Sequence, residues 1–219
     1  MTPERFRRLR AVLSERQPDL TVLMDRVNKL HNFSAILRTC DAVGVYQAHA
    51  VLPDSDPALH HGVSAGAARW VPVTPHSDTG AAVRHLKQAG FHVLAAHLSD
   101  RAVDYREVDY TLPTALMMGA ELYGVSDEGL EAADQHVVIP MRGLVQSLNV
   151  SVATALLLFE AHRQRSDAGM YQRPRLPAEE FHRRLFEWAF PREAAVFRRT
   201  DQPYPDLDAD GNWIRAEGS

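Results

Sequence analysis

The strongest constraint on this chain is an alternation of two patterns. Short apolar runs over 20–24, 48–52, 91–96, 114–118 and 136–140 are separated by segments of helical periodicity over 32–44, 78–88 and 149–163. The run at 91–96 is nearly continuous, which marks a strand covered on both faces, as in a parallel sheet. Gly44 and Gly90 follow the first two helical segments as expected stops. Strands alternating with helices predict an α/β layer fold with a parallel sheet. Residues 54–68 read as a loop and Arg69–Val73 as extended.

Two further segments flank this alternation. Residues 3–16 predict an amphipathic helix with Phe6, Leu9, Val12 and Leu13 on one face and arginines mostly on the other. Residues 178–188 predict another, carrying Phe181, Leu185, Phe186 and Trp188. The Pro-, Asp- and Gly-rich stretch 201–219 reads as a loosely attached tail. The division expected is a basic helix over 1–18, a central domain over 19–166, and an Arg-rich helical extension with its tail over 167–219.

Charge is segregated in the same way. The chain carries a net charge of −4, but segments 1–16 and 163–199 together are +7 and the remainder −11. Of 24 basic residues, 22 are Arg and only Lys29 and Lys87 are lysine. Guanidinium forks match phosphate geometry and stack on bases, so basic ends around a less basic middle fit an RNA-gripping protein. Solvated helix faces in an Arg-rich composition account for the same counts. The single cysteine, Cys40, excludes an intrachain disulfide. The opening MTPERFRRLR lacks a signal-peptide apolar run, and no stretch reaches membrane-spanning length, so a cytoplasmic protein without membrane contact is expected.

The common catalytic signatures are missing. There is no GxGxxG, no GxxxxGK[ST], no GxSxG, no HExxH and no CxxC. No metal is expected, and the 11 histidines read as scattered surface and packing residues.

Three segments remain. In Asn32-Phe-Ser-Ala-Ile-Leu-Arg38-Thr-Cys-Asp-Ala-Val-Gly44, Asn32 is a candidate helix cap, and Arg38 sits early in an apolar helix. A buried guanidinium there needs an anion, and Asp41 three residues on is available. In Leu116-Met-Met-Gly119-Ala-Glu121-Leu-Tyr-Gly124, a strand runs into a loop with two glycines and one acid, suited to close backbone approach or to a tight turn with a capping Glu. In Ile139-Pro-Met-Arg-Gly143-Leu-Val-Gln-Ser147-Leu148-Asn149, a strand end leads through a Gly-containing loop to Ser147 and Asn149 at a helix start. Open α/β sheets build ligand sites in such places, although simple N-capping explains the polar pair equally.

In order and spacing these segments resemble the three motifs of the SpoU-type branch of the SPOUT RNA methyltransferases, over roughly 20–165. Both ends extend the likeness to the TrmH family within that branch, which acts on guanosine 18 of the tRNA D-loop. The resemblance implies a SPOUT-type parallel-sheet domain with a deep trefoil knot over 117–164, a fold that periodicity alone does not reveal. It implies S-adenosylmethionine as methyl donor, held near Ala96, Gly119, Ile139 and Leu148, and a tRNA ribose 2'-hydroxyl as acceptor. Ala96 stands where some relatives have Thr, and Ala120 where Gln or Asn is frequent. Arg38 is implied to activate the hydroxyl, Asn32 to position Arg38 or the ribose, Ser147 and Asn149 to shape the site, and Glu121 to brace its loops. A homodimer sharing the site is implied as well. The alternatives are another tRNA or rRNA target, or a non-catalytic RNA-binding protein.

Overall fold

The computed structural model describes residues 1–52 and 69–214; the loop expected over 54–68, with His60 and His61, lies outside them. Among the described residues, seven parallel strands form one sheet in the order β3-β2-β1-β6-β4-β7-β5. They are β1 (Leu20–Asp25), β2 (Ala48–Val51), β3 (Val73–His76), β4 (His92–Ala96), β5 (Val103–Asp104), β6 (Thr114–Gly119) and β7 (Gln135–Val138). All five expected strands are present and parallel.

Period-two alternation sends successive side chains to opposite faces. Leu20, Val22 and Met24 of β1, Leu94 of β4, and Leu116 and Met118 of β6 face one layer. There they meet α2 (Leu30–Ala42) through Phe33, Ile36 and Leu37, and α5 (Val150–Asp167) through Leu157, Leu158 and Ala161. Leu23, Val93, Ala95, Ala115 and Met117 face the other layer, where Ala82, Val83 and Leu86 of α3 (Thr79–Gln88) cover them. The short α4 (Asp127–Ala132), capped by Ser126, flanks that face.

Glycine terminates α2 and α3 where expected. Gly44 has φ of 84°, and beside it Val45 N donates to Cys40 O at 2.9 Å and Gly44 N to Asp41 O at 3.2 Å. These two bonds make a Schellman stop. Gly90 closes α3 at φ of 87°. Asp78 caps the start of α3, accepting from Ala81 N at 2.6 Å.

The extended segment expected at 69–73 is displaced. The strand begins at Val73, because Ala48 N pairs with Pro72 O and the register runs from Ala48↔Val73 to Val51↔His76. Pro75 is tolerated because β3 is an edge strand, with one side of its backbone unpaired.

One buried cation clamps this unit, which comprises 17–170. Arg165, fully buried in the last turn of α5, uses all five of its N–H donors. Nε donates to Tyr110 O at 2.8 Å. One terminal nitrogen donates to Asp19 Oδ1 at 2.6 Å and Gln17 Oε1 at 3.2 Å. The other donates to Asp19 O and Leu112 O. The end of α5 is thereby tied to the residues entering β1 and β6.

Three of the histidines expected to be scattered are gathered by the fold. His49, His76 and His85 have ring centroids 5.2–5.6 Å apart, and His49 Nδ1 lies 2.9 Å from His76 Nε2. Burial, with its two histidine neighbours, lowers His49 to about 4, so it packs as a neutral ring. Among the described residues no group of His, Cys, Asp and Glu is placed to hold a metal ion, and no helix is long and apolar enough to cross a membrane.

The second unit comprises 1–16 and 171–214 among the described residues. In α1 (Pro3–Ser14), capped by Thr2, Phe6 and Leu13 are buried and Leu9 is half-buried, but Val12 is exposed, contrary to expectation. Arg16 is buried over the Trp188 ring, 5.2 Å from its centroid. In α6 (Ala178–Ala189), Phe186 centres an aromatic group with Phe190, with Phe197 of α7 (Pro191–Arg199), and with Tyr204 and Trp213. The expected loose tail is therefore attached through Tyr204, Gly211 and Trp213. Tyr204 stacks on Phe186 at 4.5 Å, and Gly211 lies against Phe6, where any Cβ would come within 2.5 Å of the ring. Aromatic residues spaced among Pro, Asp and Gly supplied apolar area that composition alone understated.

Replacing Arg165 by Met removes its donors from the Asp19 carboxylate, from Gln17 Oε1 and from three main-chain carbonyls. Removing one partner of a buried ion pair costs about 3–5 kcal/mol. Urea denaturation of Arg165→Met is expected to show a loss in that range, and a change under about 1 kcal/mol, the value of a surface pair, would show that the clamp is dispensable.

Candidate functional site

Because the strands are parallel, their carboxyl ends lie along one edge of the sheet, where doubly wound α/β folds bind ligands. β4 ends there at Ala96, β6 at Gly119, and β7 just before Ile139. A cavity of about 500 Å³ opens at this edge. All four residues expected to hold the methyl donor, Ala96, Gly119, Ile139 and Leu148, line it, as do Glu121 and Ser147. His97, Tyr123, Met141 and Gln146 also line it and were not singled out from the sequence.

The two glycines of the second segment have a steric reason. After Gly119 the chain turns back on itself, with Gly124 N donating to Ala120 O at 2.7 Å. A Cβ on Gly119 would fall 1.9 Å from Gly124 C and 2.0 Å from Val125 N. Gly124 itself has φ of 68°. No side chain fits at the first position, and the second favours glycine. The tight turn projects Glu121 at the cavity rim, and Leu122 and Tyr123 are 80% and 84% exposed beside it.

Buried Asp25, at the end of β1, secures this turn from the other face. It accepts from Ser126 N and from Thr79 Oγ1, both at 2.7 Å.

A relay of side chains joins the three segments. Asn149 caps α5, its Oδ1 accepting from Ser151 N at 2.9 Å and from Ser151 Oγ at 2.6 Å. That use of Oδ1 turns its amide nitrogen outward, and Nδ2 donates to Asn32 Oδ1 at 3.1 Å. Asn32, 2% exposed, must then present its own Nδ2 to an acceptor, which is Glu121 Oε2 at 3.3 Å. Each amide is oriented by the one before it, and the end of the line requires an acceptor-only group. Lys29 also donates to Glu121 Oε2, at 2.5 Å, and this ammonium holds the Glu121 carboxyl below the usual carboxylate range.

Two expectations need correction. Asn32 does not cap α2. The helix begins at Leu30 with Lys29 as its N-cap residue, and Asn32 lies inside the first turn, turned toward α5 and Glu121. Arg38 is not a buried cation paired with Asp41. It is exposed on α2 and, among the described residues, its guanidinium makes no hydrogen bond or ion pair. The fold thus brings Asn32, Glu121 and Asn149 into contact, puts Ser147 at the cavity, and leaves Arg38 facing outward. Lys29 and Asp25 were missed. The signal for Lys29 was its rarity: in a chain with 22 arginines, both lysines pair with carboxylates, Lys29 with Glu121 and Lys87 with Asp134.

Comparison with known proteins gives a consistent family. The SpoU rRNA Methylase family model matches residues 19–159, and the C-terminal model described as "SpoU, rRNA methylase, C-terminal" matches 163–216. The chain is 51% identical over 221 residues to the tRNA (guanosine(18)-2'-O)-methyltransferase of Escherichia coli K12, covering 97% of this chain and 96% of that protein. Among solved structures it resembles the Aquifex aeolicus TrmH/SpoU tRNA modifying enzyme, with a TM-score of 0.78 and 47% identity over 86% of this chain and 96% of that one. It also resembles the AdoMet-bound rRNA methyltransferase of Sinorhizobium meliloti, with a TM-score of 0.60 and 35% identity over 71% of this chain and 59% of that one. With its sheet, its three linked segments and these matches in agreement, the chain belongs to the SpoU methylase family.

Proposed function

We propose that this chain transfers a methyl group from S-adenosylmethionine to the ribose 2'-hydroxyl of guanosine 18 in tRNA. The observation that carries this reading is the 51% identity, over 97% of the chain, to a relative named for that reaction. The cavity supports the methyl donor. Its volume of about 500 Å³ lies within the roughly 300–1,000 Å³ usual for small-molecule sites. Its walls are the strand ends and loops around 96–98, 118–124, 137–141 and 146–148, which supply main-chain groups and apolar side chains. A named relative of the same family holds AdoMet in its solved structure.

S-adenosylmethionine supplies a methyl on a sulfonium, whose departure leaves a neutral thioether. This chain's residues must align the ribose oxygen and assist loss of its proton. Arg38, exposed and uncommitted, is the cation assigned to the developing alkoxide or to an adjacent phosphate. An Arg is a poor base, so the role is electrostatic. Asn32, Glu121 and Asn149 hold the rim of the cavity in register, and Ser147 shapes its wall.

The same reading covers the remaining features. The deep knot is assigned to 117–164. It is supported by β6 lying between β1 and β4, and β7 between β4 and β5, so the chain returns between strands already laid down. The basic segments, 1–16 and 163–199, are assigned to tRNA. Arg183 and Arg198 are engaged by Glu180 and Glu187, whereas Arg5, Arg8, Arg10, Arg192 and Arg199 are exposed. Among the described residues those five side chains form no ion pair, which leaves them for phosphates. A homodimer is supported by an exposed apolar stripe on α5, Val152, Leu156 and Phe159, with Leu144 and Val145 exposed in the loop before it.

The test is methylation of a tRNA transcript followed by mapping of the modified nucleotide, with guanosine 18 expected and any other position overturning the substrate assignment. Arg38→Ala is expected to lower turnover by about 10²-fold or more while S-adenosylmethionine binding, followed by calorimetry, is retained. Near-normal turnover would remove Arg38 from the reaction. Sedimentation is expected to give a dimer that Phe159→Glu dissociates with loss of activity, and an active monomer would overturn the shared site.

A further inference from the structure

Lys29 sits where a helix disfavours a cation. It is the N-cap residue of α2, its side chain makes no capping bond, and the positive end of the helix dipole disfavours an ammonium there. The anion that offsets this is Glu121, on the turn 120–124 at the cavity rim. One carboxylate oxygen, Oε2, accepts from both Lys29 Nζ and Asn32 Nδ2. Among the described residues the Glu121 side chain has no other hydrogen-bond partner, so Lys29 and Asn32 alone set its direction. A compact ammonium leaves that oxygen shared, whereas an arginine fork tends to span both carboxylate oxygens.

We propose that Lys29 is a positioning residue of the methyl-transfer site: by holding Glu121 against Asn32, it keeps the line of amides from Asn149 aligned and the 120–124 turn seated at the cavity. The inference rests on the assignment of Asn32, Glu121 and Asn149 to that site. It separates two roles open to an exposed lysine beside the cavity of an RNA-modifying site. A phosphate contact acts on RNA affinity and its salt dependence. A positioning contact acts on the rate of the bound complex. The geometry favours the second, because the ammonium is already committed to a carboxylate that has work to do in the relay. With side chains 52% and 40% exposed, the pair contributes little to folding, so its effect falls on rate rather than stability.

The charged and titratable groups facing Glu121 are Lys29, the N-cap residue of α2, and His31 in its first turn. With Lys29 in place the carboxylate survives to lower pH than an ordinary one, and removing the ammonium returns it toward the usual range. The acid limb of the rate profile then moves to higher pH.

The experiment compares full-length Lys29→Met, Lys29→Arg and Glu121→Gln with the unmodified protein, using S-adenosylmethionine and a tRNA transcript. It reads kcat, KM for tRNA, the pH dependence of kcat, and the melting temperature. Lys29→Met is expected to lower kcat about tenfold or more, with KM and melting temperature nearly unchanged and the acid limb moved upward. Lys29→Arg is expected to keep the limb low, because the charge is retained. A Lys29→Met protein with normal kcat and an unmoved limb overturns the proposal, as does a loss confined to KM with weakened salt dependence. Glu121→Gln distinguishes the two layers. If it too leaves kcat unchanged, the assignment of Glu121 to the site fails; if it is slow while Lys29→Met is normal, only the inference about Lys29 fails.

Discussion

The architecture of the larger unit hangs on a single guanidinium. Arg165 saturates all five of its donors on groups from two places in the chain: Gln17 and Asp19 before β1, and Tyr110 and Leu112 before β6. A buried charge is tolerated only under such complete satisfaction, and completeness also makes it directional. It anchors the last turn of α5 beside the amino ends of the two central strands. α5 has 18 residues, a length of about 27 Å at 1.5 Å per residue. With one end anchored there, its first turn falls at the opposite, carboxyl edge of the sheet. That is where Asn149 meets Asn32 and where the cavity opens.

The site then inherits its order from α5. Capping commits one atom of Asn149, which commits the other, which commits Asn32, and the sequence of commitments ends at Glu121. Hydrogen-bond polarity propagates along this line without any need for a ligand, so the rim is organised before substrate arrives. That is the form preorganisation takes in electrostatic catalysis: the donors and acceptors are already oriented, and little reorientation is left for the reaction itself. The backbone collision that would follow any side chain at Gly119 plays a matching steric part, since it forces the turn carrying Glu121 to lie directly on the strand end. Arg38 stands apart from this network, and its exposure suits the role proposed for it.

Much of this was legible beforehand, for identifiable reasons. The strands were readable because runs apolar on both faces have few other uses, and the stops of α2 and α3 because φ near +84° and +87° favours glycine. Asn149 was readable as one of two possible caps. Asn32 was misread as a cap because the same residue type serves a cap and an interior amide, and only the position of α5, more than a hundred residues on, decides between them. Arg38 was misread as buried because its sequence neighbours are apolar. Position around the helix axis, rather than neighbours along the chain, sets exposure, and Arg38 points away from the face formed by Phe33, Ile36, Leu37 and Cys40. The tail was misread because Pro, Asp and Gly dominate its count while the rings of Tyr204 and Trp213 make its contacts with Phe186.

The sequence by itself determined the class of fold, the three segments and the family they belong to, since periodicity and residue type at fixed spacing are local properties. Only the tertiary structure decided which polar groups meet. The pairings of Lys29 and Asn32 with Glu121, of Asn32 with Asn149, of Asp25 with Ser126, and of His49 with His76 all join residues far apart in the chain. Such contacts depend on strand order, and the insertion of β6 between β1 and β4 is a long-range choice that no short window of sequence encodes. Glu121 illustrates the division. Its residue type and its place between two glycines are written in the sequence, but its lowered pKa and its two donors come from Lys29 and Asn32 at the start of α2, which reaches it only once β6 has paired beside β1.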